Sequence, residues 1–528
     1  MGQPLRVPFG DYKPDLARLA NDGLAIAKNT VPITGGYDGV NSLADVSNFT
    51  ALSSRARGAA SGIDPAGNPF NFVGTDTKLY RLQEATDDVT RILGGAYNTG
   101  GQGYWEFGFF SKTIIAVNGS DRPQYFTLDD STEFKPLGNP GLTNTTAPTA
   151  KHIGVIGTFV VLGNTANDPS EVHWSAVNDP FNWPTPGTEV AVTVQSDRQA
   201  LFGPGGSVQR VVSGAEVGAI FQERAIWRAE YRGGDVVFEL SRVEPERGLL
   251  IPAIAIPFGR QVFYLAEDGF YLFDYTSSTP IGRGIIDSTF LADIDTSLFH
   301  RVSASADPDN QRIWILYPGS GHDIAGTPNK FLVYDWGLNR WSHGEITAEW
   351  LTQSVHSAVT LDLPVTGGGN PTLVTDPDAT IDSAEFPDGG VDGVSITTSL
   401  PLASFDDRVA APGALSLGAY STAHTLQQFT GSRLNATLQT GRRELIPGSR
   451  AMVTGARVMV DAIDPTVSVS GVGRANETDS FTIATRIDND GDAPLRKDGR
   501  FHTFKLNLGS GFNDAMFMDV QFQRSGSR

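Results

Sequence analysis

Short runs of β-branched and aromatic residues, bounded by Gly, Pro, Asn or Asp, follow one another along most of the chain. Such runs predict strands joined by tight turns. Six segments share one plan, in which an apolar strand, a polar turn and a second strand carrying an aromatic residue succeed each other. They are 70-FNFVGTDTKLYRL-82, 113-TIIAVNGSDRPQYFTL-128, 159-FVVLGNTANDPSEVHWSAV-177, 218-GAIFQERAIWRAEY-231, 262-VFYLAEDGFYLFDY-275 and 312-RIWILYPGSGHDIAGTPNKFLVYDW-336. Anchored on Tyr80, Tyr125, Trp174, Trp227, Tyr271 and Tyr334, the copies lie 45, 49, 53, 44 and 63 residues apart. A four-stranded propeller blade with its loops takes roughly 40 to 50 residues. The period therefore predicts an all-β fold, a β-propeller of about six to seven blades.

Further apolar runs between the hairpins, 153-IGVIG-157, 208-VQRVV-212 and 251-IPAIAIP-257, supply the remaining strands. Asp268-Gly269 reads as a type I′ hairpin turn, and Gly119-Ser120 tolerates positive φ. Aromatic residues at equal places in a repeat pack blade on blade, because one blade cannot bury both of its faces alone. A seventh blade comes from 31–52, from 347–361, or from both ends joined.

The flanks differ. Leu16, Leu19, Leu24 and Ile26 give 14–28 a helical spacing, so this stretch reads as a short helix or an arm lying on a neighbour, and residues 1–30 as an N-terminal arm. The propeller then spans 31–362. A Gly-, Pro- and Asp-rich stretch at 363–396 reads as a linker or long loop. Beyond it, 457-RVMVDA-462, 466-TVSVSGVG-473, 481-FTIATRI-487, 501-FHTFKLNL-508 and 517-FMDVQFQ-523 alternate apolar and polar residues and predict a C-terminal β-sandwich over 397–528.

Composition narrows the chemistry. The 59 Gly and 31 Pro fit a turn-rich chain of 528 residues, and no apolar run approaches the ~20 residues that span a bilayer. The start, 1-MGQPLRVPFGDYKPDLARL-19, turns polar at once and does not read as a secretory signal. With no Cys there is no disulfide frame and no thiolate metal site, which suits folding in a reducing cytosol. The net charge of −19, with Arg442-Arg443 the longest basic cluster, disfavours tight duplex binding through phosphates. An acidic wall would instead let a polyanion slide past.

No catalytic, cofactor or metal residue is assigned. The eight histidines (152, 173, 300, 322, 343, 356, 424 and 502) hold no helical i, i+4 pair. Asp488, Asp490 and Asp492 alternate as in a calcium loop, but Ala493 and Gly499 stand where that loop needs Gly and Glu, so an acidic turn is the reading. The Gly-rich 203-GPGGS-207 and 366-TGGGNP-371 lack the Lys and helix of a phosphate loop, and no G-x-S-x-G elbow occurs. Glu267, Asp268, Asp274 and Asp335 are the carboxylates a propeller glycosidase could use. Their repeat-related places read as structural. The near-match 303-SASADPDNQRIW-314 lacks the Gly and the spacing of a sialidase box.

One further pattern is a resemblance. The opening 4-PLRVPFGDYKPDLARLANDGLAIAKNTVPITGGYDGV-40, then 72-FVGTDTKLYRL-82, 172-VHWSAVNDPFNWP-184, 267-EDGFYLFDYTSSTPIGRGIID-287, 330-KFLVYDWGLNRWSH-343, 499-GRFHTFKLNL-508 and 517-FMDVQFQRSGSR-528 are similar, in this order, to the tail nozzle or packaged-DNA stabilisation (tail hub) proteins of short-tailed double-stranded DNA bacteriophages. The resemblance covers most of the chain through motifs that are structural. It implies a structural virion protein with no enzymatic activity and no cofactor, forming a homohexameric ring below the portal and its adaptor. The ring would continue the DNA channel, retain the packaged genome and open for ejection. Implied partners are the portal adaptor, tail fibre or needle proteins and the passing DNA, without sequence specificity or membrane insertion. The implied location is the virion tail, assembled in the host cytoplasm. Arg442, Arg443, Arg496, Lys497 and Arg500 are expected at subunit contacts, and the loops 318–330 and 364–390 as gate or docking elements. A propeller-fold glycan-degrading enzyme and a non-viral scaffold propeller are the alternative readings.

Overall fold

The structure, a computed structural model, describes residues 4–46, 49–64, 69–82, 86–90, 95–138, 146–234, 236–355, 415–509 and 511–526. It is all-β, with many small four-stranded sheets. Among the described residues, seven antiparallel meanders follow one another. Strands Ala59–Ile63, Pro69–Gly74, Leu79–Leu82 and Thr86–Asp88 form meander 1. Meanders 2 to 6 occupy 106–136, 150–200, 208–244, 256–280 and 303–345, each pairing its strands in chain order. Meander 7 takes Trp350–Val355, Leu415–Tyr420 and Leu426–Gln428, and its outer strand is Ala44–Asp45 from the N-terminal region. Both ends of the chain are thus joined in it.

The second strands explain the packing. A strand points successive side chains to opposite faces, so one with both faces buried reads as a continuous apolar run. In Thr113–Val117, Ile114 and Ala116 join the core shared with meander 1, while Ile115 and Val117 join the core shared with meander 3. In Arg312–Tyr317, Ile313 and Ile315 face meander 5, and Trp314 and Leu316 face meander 7. A hydrophobic cluster lies between each two consecutive meanders, the one between meanders 5 and 6 running on into the C-terminal sheets, and the cluster of Val73, Tyr80, Leu82, Trp350, Tyr420 and Leu426 joins meander 7 back to meander 1. Each fully buried Val, Leu, Ile or Phe in them contributes about 1.5–3 kcal/mol.

All six anchoring aromatics lie on the third strand of their meander, and each pairs with an apolar residue of the second strand: Val73, Ile115, Val161, Ile220, Tyr264 and Ile313. The expected Asp268-Gly269 turn is shifted by one residue. Ala266 pairs with Gly269 around a Glu267-Asp268 loop, and only Gly269 has positive φ (+135°). A Cβ there would lie 2.1 Å from Asp287 Oδ2, so packing as well as conformation requires Gly.

The N-terminal region is not helical. Leu24–Lys28 is a strand, inserted between the last strand of meander 6 (parallel, Lys28 opposite His343) and Ala436–Thr440 (antiparallel). Gly23 sits so close to Asp11 that a Cβ would lie 2.0 Å from its carbonyl oxygen. Tertiary pairing overrides the helical spacing, and Leu24 and Ala27 are fully buried. Leu5–Pro8 and the hairpin of Thr30–Ile33 with Gly36–Gly39 join a second sheet with Ala515–Gly526, Arg450–Val460 and Asp492–Gly499. Arg340 rivets this region, donating to the carbonyls of Ile33 (3.0 Å), Gly36 (3.1 Å) and Gly10 (3.0 Å) beneath the Tyr37 ring.

The C-terminal strands therefore form two sheets over a shared core, as a sandwich would, but neither is separate from the rest. One runs on from meander 6, the other contains N-terminal strands, and the strands from 415 to 428 belong to meander 7, so the expected boundary at 397 is displaced. The strand expected over 481–487 reduces to a bridge at Phe481 and the pair Thr485–Arg486. The linker 363–396, with its 366-TGGGNP-371 turn and the candidate loop 364–390, lies outside the described residues.

Candidate functional site

The first strands of successive meanders pack side by side, and charged residues gather at or just before their N-terminal ends. Two clusters result.

The first is a stitch across meanders 2, 3 and 4. Glu106 opens its strand, and its carboxylate, 3% exposed, meets Arg210 Nη1 at 2.8 Å and His152 Nδ1 at 2.8 Å. The Ile153 amide and the Tyr104 hydroxyl donate to it at 3.3 Å each. Burial alone would raise the Glu106 pKa, but the charge of Arg210, and then His152, hold it down at about 2. So weak a base suits an electrostatic tie better than proton transfer.

The second cluster is cationic. Arg55 and Arg57 lie on the segment leading into meander 1, His300 and Arg301 on the 3-10 turn Thr296–Arg301 before meander 6, and Glu349 and His424 on meander 7. Arg57 Nη1 donates to Thr99 Oγ1 (3.1 Å) and to the carbonyl of Gly100 (2.5 Å), and Arg301 Nη2 donates to the Ala325 carbonyl (2.7 Å). All of these acceptors are neutral. Arg55 Nη1 and Arg301 Nε are buried and have no hydrogen-bond partner among the described residues. The nearby carboxylates are engaged elsewhere: Glu349 with the Ala56 amide and His424, Asp76 with Ser54, and Asp323 with Thr327. Burial first, then the charges of Arg301 and Arg57, push the Arg55 pKa down to about 9. Burial and the same neighbours lower His300.

The residues singled out in the sequence do other work. Asp274 and Asp335 end equivalent third strands and cap the turns that follow, accepting from the amides of Ser277 (2.7 Å) and Leu338 (2.9 Å). Asp268 accepts from the Tyr271 hydroxyl at 2.6 Å, and Glu267 is exposed in the same turn. Asp488 accepts from the amides of Asp490 and Asp492, closing an acidic turn. The 203-GPGGS-207 stretch precedes a strand. Among the described residues no three His, Asp or Glu side chains converge as metal ligands.

Arg442, expected at a subunit contact, is buried and bonded to the Ala475 and Glu477 carbonyls and Asp479. Arg500 pairs with Glu444 at 2.8 Å, and Arg443 donates to the Asp22 carbonyl. Of the five, Arg496 is left on the exposed face of its strand, beside half-buried Lys497. The loop 318–330 is held by Asp293, which bonds Lys330, Ser320 and Tyr317, and its tip, with Asp323, Ile324 and Ala325, is exposed.

A cavity of ≈ 250 Å³ lies between meanders 6 and 7 and the hairpin 30–39, lined in part by Asp38, Arg312, Trp314 and Arg433. Both of its arginines are paired, Arg433 with Asp38 and Arg312 with Asp335, and Asp307 accepts from Asn310. Neither charged cluster was foreseen from sequence, since its members come from segments far apart in the chain. Among the described residues no helix is long and apolar enough to cross a membrane. No protein-family model matches the chain, and no curated protein is similar to it.

Proposed function

We propose that the seven meanders are the blades of a β-propeller closed by its N-terminal strand, and that the chain is a structural protein of a short-tailed phage tail. In this reading it forms a ring, the nozzle, below the portal and adaptor, and the ring continues the DNA channel, retains the genome and opens for ejection. The supporting observation is the cyclic series of seven cores, the last of which joins meander 7 to meander 1. Such a body is a rigid annular part. The segments that carry the resemblance also fall on structural joints. Residues 72–82 and 267–287 hold inter-strand turns, and Arg340 of 330–343 binds the N-terminal region. Exposed Val190 and Val192 on the short helix Glu189–Thr193 of meander 3, Phe202 just after that meander, and Ile463 and Ile483 between the C-terminal strands are the kind of apolar surface that head-to-tail contacts between copies would cover.

The test is assembly. The purified chain is weighed in solution, alone and with the portal–adaptor complex of its source, and any ring is imaged by negative-stain electron microscopy. Sixfold rings, or a monomer joining the portal as a sixfold layer, are the expected result. A monomer indifferent to every portal component would overturn the nozzle reading.

A further inference from the structure

The strongest unexplained feature is the cationic cluster. The chain carries a net charge of −19, and many of its arginines are paired with carboxylates. Arg55, Arg57 and Arg301 depart from that pattern. They come from two distant segments and lie close enough to repel one another, and none forms an ion pair among the described residues. Gathering like charges in a partly buried place is unfavourable unless something compensates them. Arg55 is the extreme case, since its buried Nη1 has no hydrogen-bond partner among the described residues. Arg57 and Arg301 are held in place by carbonyls at one edge, which leaves their remaining N–H groups without a charged partner. Guanidinium forks with His300 beside them make a donor set matched to a tetrahedral oxyanion.

We propose that Arg55, Arg57, His300 and Arg301 form a binding site for a phosphate-type oxyanion. The site is built within one chain and does not rest on the ring reading. Glu349, Asp76 and Asp323 face the cluster and limit its positive field, so the ligand is a group that takes hydrogen bonds in a fixed geometry, not any anion at large. The phosphate could be a free small anion or one group of a nucleic-acid backbone. Both offer the same oxygens, and the loop 318–330, whose Ala325 carbonyl holds Arg301, would border either.

Inorganic phosphate is titrated into the full chain near neutral pH, with sodium chloride holding ionic strength constant, and binding is read as heat and as melting temperature. Wild type is expected to give a saturable heat and a saturable rise in melting temperature that chloride does not reproduce. In Arg55→Met and Arg301→Met the half-saturating concentration is expected to rise at least about tenfold, the effect of losing one charge-assisted hydrogen bond. Arg55 Nη1 has no hydrogen-bond partner to lose among the described residues, so Arg55→Met should melt at or above wild type without phosphate. An oligothymidylate of about 15 nucleotides is the second arm. Competition with phosphate would assign the site to backbone phosphates, and no competition would assign it to small anions. The proposal fails if wild type shows no saturable phosphate effect, or if the effect is undiminished in both variants.

Discussion

Asp287 shows how one buried carboxylate sets a pH dependence. Its oxygens fill the space left by Gly269 and Gly282, and it accepts from the Phe270 amide at 3.1 Å. Burial, with the charges of Asp15 and Asp268, raises its pKa to about 6. The folded state thus holds this proton more tightly than the unfolded chain. The contribution is fully present below about pH 4 and is lost as pH rises through about 6. Asp287→Asn keeps the acceptor and removes the charge, so urea unfolding near neutral pH should show it about 1–2 kcal/mol more stable than wild type, with the gain vanishing near pH 4. An equal gain at both pH values would show that the charge is not its cause. His173 works in the opposite sense. Both its nitrogens are buried without a hydrogen-bond partner among the described residues, its ring meets Trp183 edge-on at 5.4 Å, and burial, then Arg198, lowers its pKa to about 4. Its contribution is present above about pH 6.5 and is lost as pH falls toward 4, because the unfolded chain takes up the proton first. His173→Phe should be as stable as wild type near neutral pH and lose less stability between about pH 6.5 and 4. Stability measured across that range in both chains is the check.

At the scale of strands and hairpins, the decisive contacts are those that tie one meander to the next. Glu106 ties three, so Glu106→Ala should cost about 2–3 kcal/mol by leaving half-buried Arg210 without its counter-charge. Denaturant unfolding of that variant beside Arg210→Met decides the cause. If the charge pair matters, the double variant will be more stable than the sum of the two single losses predicts. The sequence discloses these elements unevenly. Apolar runs such as 313-IWIL-316 disclose strands buried on both faces, and the recurrence of an aromatic from Tyr80 to Tyr334 at intervals of 44 to 63 residues places the third strands because one plan repeats one packing problem. Leu24–Lys28 was hidden, since its partners, His343 and 437–440, lie hundreds of residues away and its own spacing fits a helix. The two-residue loop at 267–268 was misplaced by one position because Gly269 is needed under Asp287 as well as in the turn. The cationic cluster left no mark, because a sequence window that holds Arg55 and Arg57 cannot hold Arg301.

For the whole molecule, closure depends on a short piece of chain. Ala44–Asp45 forms the outer strand of meander 7, held by the Val46 amide on the Leu426 carbonyl and by Thr425 and Gln427 on Asp45 at 2.9 and 3.0 Å. The same N-terminal region supplies Leu5–Pro8, Leu24–Lys28 and the 30–39 hairpin to the two C-terminal sheets. Meander 7 and the C-terminal sheets therefore share one dependence on residues hundreds of positions away in the chain, a high-contact-order arrangement that folds slowly. Deleting residues 1–46 should expose the free edges of Leu426–Gln428, Arg340–Glu345 and Ala436–Thr440 together. Because meanders 2 to 4 touch none of the deleted strands, they should keep their protection against hydrogen exchange, while meander 7 and the C-terminal sheets lose theirs. Exchange measured segment by segment separates two outcomes. Loss confined to those parts would mean that the N-terminal strands close the structure locally, as the pairing implies. Uniform loss would mean that the cyclic series of cores is one cooperative unit, which opens everywhere when it opens at a single joint.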